Sequence, residues 1–395
     1  MNILIANKFY YNRGGDCVYS IGLEKMLLEA GHNVAFFASE HLQNLSSKWG
    51  KYWVSEFSAK KIMRPFGDKE TKIKFTKLLN DFEPDILHLN NIHTQISPII
   101  AEIAHNKGVE VIWTLHDYKL ICPSYLCLNG KGEICEKCFG ENKKHCTRNK
   151  CIKNKFLHSF IAQKEAEKWN KDRLEKCVDT FICPSEFVKQ KMLQGGFSEN
   201  KLHTLHNFID IPESCKSLNP ENRGSDNYYA YVGRLSKEKG IETLCSVAGK
   251  LPYKLKIAGT GPLENQLIEK YKRCNQIEFL GQQIKDNALQ IMAGARFVVC
   301  PSEWYEVFGL VIIESIIVGT PVLCANIGGM PELMKNNTAG DFFESGNSKD
   351  LKKKITEMWD KEYDFNPEEY KEIFGKNNYY QRLMKIYGME DEHFG

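Results

Sequence analysis

Short apolar runs alternate with amphipathic stretches from the start of the chain. Asn2–Lys8 reads as a strand, Tyr11–Asp16 as a glycine-containing loop, and Cys17–Ala30 as a helix that Gly31 closes. A strand over Asn33–Ala38 follows, then strand-like Asp85–Leu89, helical Pro98–Asn106 and strand-like Val109–Leu115. After an insertion come strand-like Thr180–Cys183 and a helix opening at Ser185. Strands that alternate with helices predict a parallel, doubly wound sheet.

The pattern restarts near residue 228. Tyr229–Val232 reads as a strand, Glu238–Gly249 as a helix and Lys254–Ala258 as a strand, followed by short strands at Ile277–Leu280, Phe297–Cys300 and Pro321–Ala325. The linker is expected in Asn207–Ser225, which carries two prolines, a glycine and mixed charge. At the end, Tyr379, Tyr380, Leu383 and Ile386 stand at helical spacing. The pattern thus predicts two α/β halves facing a cleft. Ligands of such sheets bind at the carboxyl ends of the strands, so the chemistry should lie in strand-to-helix loops.

Length changes this picture little: 395 residues suit two cores rather than one. A net charge of +3 selects no class of partner. The longest apolar stretch, Phe308–Ala325, is interrupted by Glu314 and broken by Gly319 and Pro321. A bilayer span needs roughly 20 apolar residues, so no membrane helix is expected. Met1-Asn2 leads straight into an apolar strand without the n-region and h-region of a secretory leader, so the expected location is cytoplasmic. Of 14 cysteines, eight are scattered and read as small buried hydrophobes, while six fall in one segment.

The strongest chemical signal is Glu306-Val-Phe-Gly-Leu-Val-Ile-Ile-Glu314. The first carboxylate precedes a predicted helix and the second lies just over two turns on, so both can face one elongated ligand. Gly309 lets backbone amides at a helix start approach oxygen anions. Glu314 sits in the most apolar stretch of the chain, where an ionised carboxylate needs a partner such as the hydroxyls of a ribose. Arg234 and Lys239, in Gly233-Arg-Leu-Ser-Lys-Glu-Lys-Gly240, project from a loop that follows a strand. Together they suit a diphosphate. Gly259 and Gly261 form another turn after a strand, which a nucleotide-facing loop and a plain tight turn explain equally well. Asn12-Arg-Gly-Gly15 is not Gly-x-Gly-x-x-Gly, which weighs against a nicotinamide or flavin site. His116 and Asp117 sit where strand Val109–Leu115 ends. No Asp-x-Asp metal motif appears, since the acidic Glu390-Asp-Glu392 reads as a solvated tail. A diphosphate leaving group would then be stabilised by cations and helix amides.

These motifs, in this order, resemble family 4 glycosyltransferases of the GT-B fold over essentially the whole chain. The resemblance rests on Gly14-Gly15, Thr114-x-His116-Asp117, Gly233-Arg234 with Lys239-Gly240, and Glu306 with Glu314. Pro184-Ser-Glu186 and His206-Asn-Phe-Ile-Asp210 add further landmarks. It implies two Rossmann-like domains facing a central cleft. An acceptor domain would span 1–208, with a cysteine-rich insertion about 118–157, and would be completed by a C-terminal helix about 375–395. A donor domain would span 209–374. The implied reaction is retaining, metal-independent transfer of a hexose or N-acetylhexosamine from a UDP- or GDP-linked sugar. The acceptor would be a glycan or lipid-linked glycan of cell-surface polysaccharide biosynthesis. Arg234 and Lys239 would hold the diphosphate and Glu314 the ribose. Glu306, with the backbone at Phe308, Gly309 and Leu310, would hold the sugar. Gly259 and Gly261 would line the donor loop, His116 would lie near the transferred sugar, and Gly14-Gly15 near phosphate and acceptor. Asn207-Phe-Ile-Asp210 in place of Asn-Gly-Val-Asp, and Asp16-Cys17 after Gly15, depart from the family pattern and bear on acceptor handling.

Cys122, Cys127, Cys135, Cys138, Cys146 and Cys151 lie in the insertion, and Cys135-x2-Cys138 has the spacing of a zinc knuckle. A long loop with little apolar content needs a cross-link, and a structural zinc on Cys122, Cys135, Cys138 and Cys146 is the expectation. Free thiols, or disulfides formed on oxidation, are the alternatives. Lys143, Lys144, Arg148, Lys150, Lys153 and Lys155 make the segment basic and suit peripheral docking at the inner face of the plasma membrane. Nucleic-acid binding is not expected, because the insertion interrupts an enzyme-like domain. Competing readings are a nucleotide-sugar 2-epimerase on the same fold, a silent nucleotide-sugar sensor and a zinc-dependent interaction protein.

Overall fold

The computed structural model describes residues 1–56, 61–210, 227–334 and 338–389. The larger part of the expected linker, 211–226, and the acidic tail Glu390–Glu392 lie outside the described residues. The chain divides into two compact units, Met1–His206 with Tyr379–Gly395, and Asn207–Asn378.

In the first unit, β1 (Asn2–Ala6), β2 (Asn33–Phe37), β3 (Ile86–Leu89), β4 (Glu110–Thr114), β5 (Thr180–Cys183) and β6 (Leu202–Thr204) form one parallel sheet in the order β2-β1-β3-β4-β5-β6. Ile3, Leu4, Ile5, Leu87, Ile112 and Phe181 are wholly buried. Such continuous apolar strands are what a parallel sheet covered on both faces requires. The helices are α1 (Gly15–Glu29), α2 (Lys69–Phe82), α3 (Ile99–His105), α4 (Lys144–Arg148), α5 (Phe156–Lys168), α6 (Lys171–Glu175) and α7 (Glu186–Gln194).

The second unit repeats the plan. Strands β7 (Tyr228–Val232), β8 (Lys254–Ala258), β9 (Ile277–Gly281), β10 (Val298–Cys300), β11 (Val322–Ala325) and β12 (Gly340–Phe343) run in the order β12-β11-β10-β7-β8-β9. Its helices are α8 (Ile241–Ala248), α9 (Glu264–Tyr271), α10 (Lys285–Ala293), α11 (Leu310–Ile317), α12 (Ser348–Trp359) and α13 (Pro367–Phe374). The last helix, α14 (Lys376–Ile386), enters the first unit at Tyr379.

Both sheets reverse direction beside their first strand. β3 pairs with β1 on the side away from β2, and β10 pairs with β7 on the side away from β8. At such reversal points the flanking loops diverge and leave a crevice beyond the strand ends. The loops after β7 and β10 hold Arg234, Lys239 and Glu306, and the loop after β1 holds Gly14.

The structure differs from the sequence expectation in specific places. The helix expected over Glu238–Gly249 is a 3-10 turn, Lys237–Lys239, followed by α8, because Gly240 adopts φ 68° between them. The segment between the insertion and β5 forms α5, which opens at Phe156 and breaks after Lys168, where the Asn170 side chain accepts from the Arg173 amide and starts α6. Helix α2, unassigned by the periodicity, is capped by Asp68, which accepts from the Thr71 amide, and buries Phe75, Leu78 and Leu79.

Gly240 carries a testable constraint. A Cβ there would lie 1.8 Å from the Pro301 carbonyl oxygen, so the β7 and β10 loops meet only because residue 240 has no side chain. Gly240→Ala should lower stability by roughly 2–4 kcal/mol, read from the urea midpoint. An unchanged midpoint would show that the loops separate freely.

Candidate functional site

In the second unit the site is built from three loops tied together by backbone. The Gly233 amide donates to the Ala258 carbonyl at 3.0 Å, the Leu235 amide to Thr260 at 2.9 Å, and the Leu263 amide to Leu235 at 3.0 Å. Gly259 adopts φ 139°, and a Cβ on it would stand 1.9 Å from the Gly233 oxygen. A Cβ on Gly261 would stand 2.4 Å from the Leu235 oxygen. The two glycines therefore set how near the β8 loop lies to the β7 loop. The Glu303 amide donates to the Glu238 carbonyl at 2.9 Å, joining the β7 and β10 loops.

Charges converge on this frame. Glu306 is buried, forms an ion pair with Lys239, and accepts from the Ser302 hydroxyl at 3.0 Å. Burial opposes its ionisation, but the Lys239 ammonium together with hydrogen bonds from Trp304 and Ser302 outweighs burial and holds the carboxyl below the usual range. Lys239 also lies 5.4 Å from the Trp304 ring centroid. Arg234 pairs with Glu238, and its side chain keeps 60% exposure, so its guanidinium is open to a ligand. Gly309, at φ 109°, precedes α11, which Leu310 opens. Phe308 is buried, 6.0 Å from the ring of Phe374. Ile312, Ile313, Ile316 and Ile317 face the core from α11, while Glu314 leaves it and pairs with Lys285 of α10. Sequence reasoning did not find Lys285. It carries no motif, and only the packing of α10 beside α11 brings it to Glu314.

In the first unit Gly14 and Gly15 are exposed where α1 begins, and the Cys17 and Val18 amides donate to the Gly14 carbonyl at 3.0 Å each. Asp16 accepts from the Asn91 side chain at 3.1 Å. His116, after β4, has its Nε2 2.8 Å from the Asn90 carboxamide oxygen and its ring 4.7 Å from that of Tyr19. An amide oxygen only accepts, so this contact places the proton on Nε2. Asn90 directly follows β3, and a polar residue just past a strand's carboxyl end was the available signal for it. Below lies wholly buried His88, whose Nε2 is 2.8 Å from the Thr114 hydroxyl and whose Nδ1 meets the Tyr387 hydroxyl. Burial, aided by His116, pushes His88 down to about 3. Burial likewise pushes His116 down to about 4, against the opposing carboxylates of Asp16 and Asp117.

The insertion corrects the zinc expectation. Among the described residues there is no group of three or more His, Cys, Asp or Glu side chains placed to hold a metal ion, so Cys122, Cys135, Cys138 and Cys146 do not form the expected quartet. Instead Cys122 contacts Cys127 and Cys146 contacts Cys151. The cross-linking comes from lysines. Lys143 is buried and donates to the Cys138 carbonyl at 2.6 Å and the Ile121 carbonyl at 3.2 Å. Lys119 is buried against Glu165 of α5 at 2.9 Å and donates to the Pro123 carbonyl at 2.8 Å. Thr147 of α4 donates to Gln163 of α5 at 2.5 Å.

Cations and carboxylates gather at the reversal point of one α/β sheet, and a histidine stands at a strand end of the other. The structure is similar to sucrose-phosphate synthase from Thermosynechococcus elongatus, with a TM-score of 0.67, 17% identity and 98% of each chain covered. It is also similar to Anabaena HepE in complex with UDP and glucose, with a TM-score of 0.65 and 17% identity over 98% of this chain and 99% of that one. These likenesses establish the GT-B fold. The description "Glycosyltransferase Family 4" matches residues 14–213 and "Glycosyl transferases group 1" matches residues 217–381, and the chain belongs to this family of glycosyltransferases. A protein in the cps region of Klebsiella pneumoniae is 26% identical over 359 residues, 85% of this chain and 88% of its own length. No described helix is long and apolar enough to cross a membrane.

The histidines give a pH signature. Both have folded values far below the ordinary 6.5, so the unfolded chain binds protons that the folded chain refuses. Stability is complete above pH 6.5 and is lost as pH falls, by up to about 1.4 kcal/mol per pH unit for each histidine. Unfolding free energy should therefore drop between about pH 6.5 and 5, above the carboxylate range. His88→Gln should flatten this slope by about one proton. An unaltered slope in urea titrations of the variant would mean that His88 titrates normally.

Proposed function

We propose that this glycosyltransferase performs retaining transfer of a hexose or N-acetylhexosamine from a UDP- or GDP-linked sugar to a glycan or lipid-linked glycan acceptor. Its setting would be cell-surface polysaccharide biosynthesis, with the protein acting peripherally from the cytoplasmic side. The observation that carries the reading is the set of charges on the β7 and β10 loops: exposed Arg234, half-buried Lys239, and the ionised, buried Glu306 on the same ammonium. A diphosphate meets Arg234 first, through the fork geometry that the guanidinium supplies and an ammonium does not. Lys239 contributes a second positive charge where negative charge grows as the sugar–phosphate bond lengthens, so this chain's own cations stabilise the leaving group.

Glu306 has one oxygen committed to Lys239 and Ser302, and its carboxylate would accept from sugar hydroxyls. Glu314, at the rim of α11, would accept from ribose hydroxyls, with its ion pair to Lys285 orienting it. Gly259 and Gly261 hold the neighbouring loop close to this charge set. In the first unit, neutral His116 would present a ring nitrogen to the sugar, and the exposed Gly14-Gly15 backbone would serve phosphate or acceptor. The cps-region relative supports a polysaccharide setting, and UDP in the HepE structure supports a nucleotide-sugar donor.

Thermal-shift titration with UDP, GDP and ADP tests the donor reading and identifies the base, since a ligand bound to the native state raises its melting temperature. Arg234→Ala should depress turnover by roughly 10- to 100-fold, the worth of a charge-assisted hydrogen bond. Glu314→Ala should weaken donor binding by about tenfold. Parent-like activity in both variants removes the donor-site assignment, and release of a free 2-epimer sugar in place of transfer favours the epimerase.

A further inference from the structure

We infer that the start of α5, with the turn before it, is a docking surface for an anionic lipid bilayer. From Asn142 to Lys164 the chain carries seven Lys and Arg residues and no Asp or Glu. At the centre of this run Phe156 and Leu157 are each 61% exposed and Phe160 is 40% exposed. Phe156 and Phe160 stack on one another with ring planes 6° apart, and the Lys164 ammonium lies 5.5 Å from the Phe160 centroid. Lys153, Lys155 and His158 are exposed around them.

A surface helix ordinarily buries its apolar side chains and turns polar ones outward. Here the inward positions of α5 are Ser159, Ala162, Gln163, Glu165 and Ala166, while its largest apolar side chains point out. The inner face is already occupied: Ala162 packs on Cys138 and Cys146, and Glu165 holds Lys119. The aromatic face is thus left over after the insertion has folded. Lysines ringing exposed aromatic and aliphatic side chains fit an interface-lying helix start on anionic lipid. A protein partner fits less well, because lysine is depleted from protein–protein interfaces. This surface adds the partner to the membrane-facing part of the proposed function. Its test does not need that reading, since docking is measured without donor or acceptor.

The full chain should co-sediment with phosphatidylcholine vesicles containing phosphatidylglycerol and not with phosphatidylcholine alone, and binding should weaken as salt is raised toward about 1 M, where the Debye length is roughly 3 Å. The combined Phe156→Ser, Leu157→Ser and Phe160→Ser variant should lose at least tenfold in partitioning while its circular dichroism and cooperative melting match the parent. If the variant fails to fold, amide exchange of the parent on vesicles decides, with protection expected across 150–164. Vesicle binding unchanged in a folded variant, protection elsewhere, or concentration-dependent self-association through this patch with no lipid binding would each overturn the inference.

Discussion

The second unit depends on one buried ion pair. Glu306 lies in an apolar neighbourhood where an unpaired carboxylate would be costly, and Lys239 reaches it from the loop of another strand. That reach requires the β7 and β10 loops to touch, and the absence of a side chain at residue 240 makes the contact feasible. Once the loops touch, Arg234 is left on the outer side of the same turn and α11 starts directly beyond. The charge arrangement and the fold are thus one problem. The carboxylate needs the cation, the cation needs the close loops, and the close loops occur where the sheet reverses direction.

The first unit solves a different problem with neutral groups. His88, Thr114, Tyr19, Tyr379 and Tyr387 form a buried polar layer under His116, linking α1, the ends of β3 and β4, and α14. Buried polar groups are tolerable when they satisfy one another. Here that satisfaction fixes the end of α14 against the sheet and leaves the histidines uncharged. The insertion follows the same rule with charge: lysines 119 and 143 are buried against a carboxylate and backbone carbonyls, and a shape forms in which the cysteines meet in pairs.

Much of this was readable along the chain. The strand-to-helix rhythm gave two doubly wound sheets, because parallel strands buried on both faces need continuous apolar runs and amphipathic crossovers. Arg234, Lys239, Glu306 and Glu314 stood out because charges beside apolar strands require a reason. The cysteine spacing misled, since a Cys-x2-Cys pair is compatible with zinc but says nothing of whether two further thiols arrive. Lys285 and Asn90 were invisible or faint, since each matters only through a partner far along the chain. The glycine turn at 259 and 261 was legible as a turn and ambiguous in purpose. The structure assigns it close backbone packing against the β7 loop.

The sequence by itself determined most of the elements, their order and the residues that carry charge, because these follow from local periodicity and short-range spacing, while the reaction class came from the resemblance of its motifs to a family. Tertiary structure alone decided which cation meets which carboxylate, that the insertion is held by lysines, and that α5 turns its aromatic residues outward. Those outcomes depend on competition for buried partners among residues distant in sequence, and that competition is resolved only when the chain has packed.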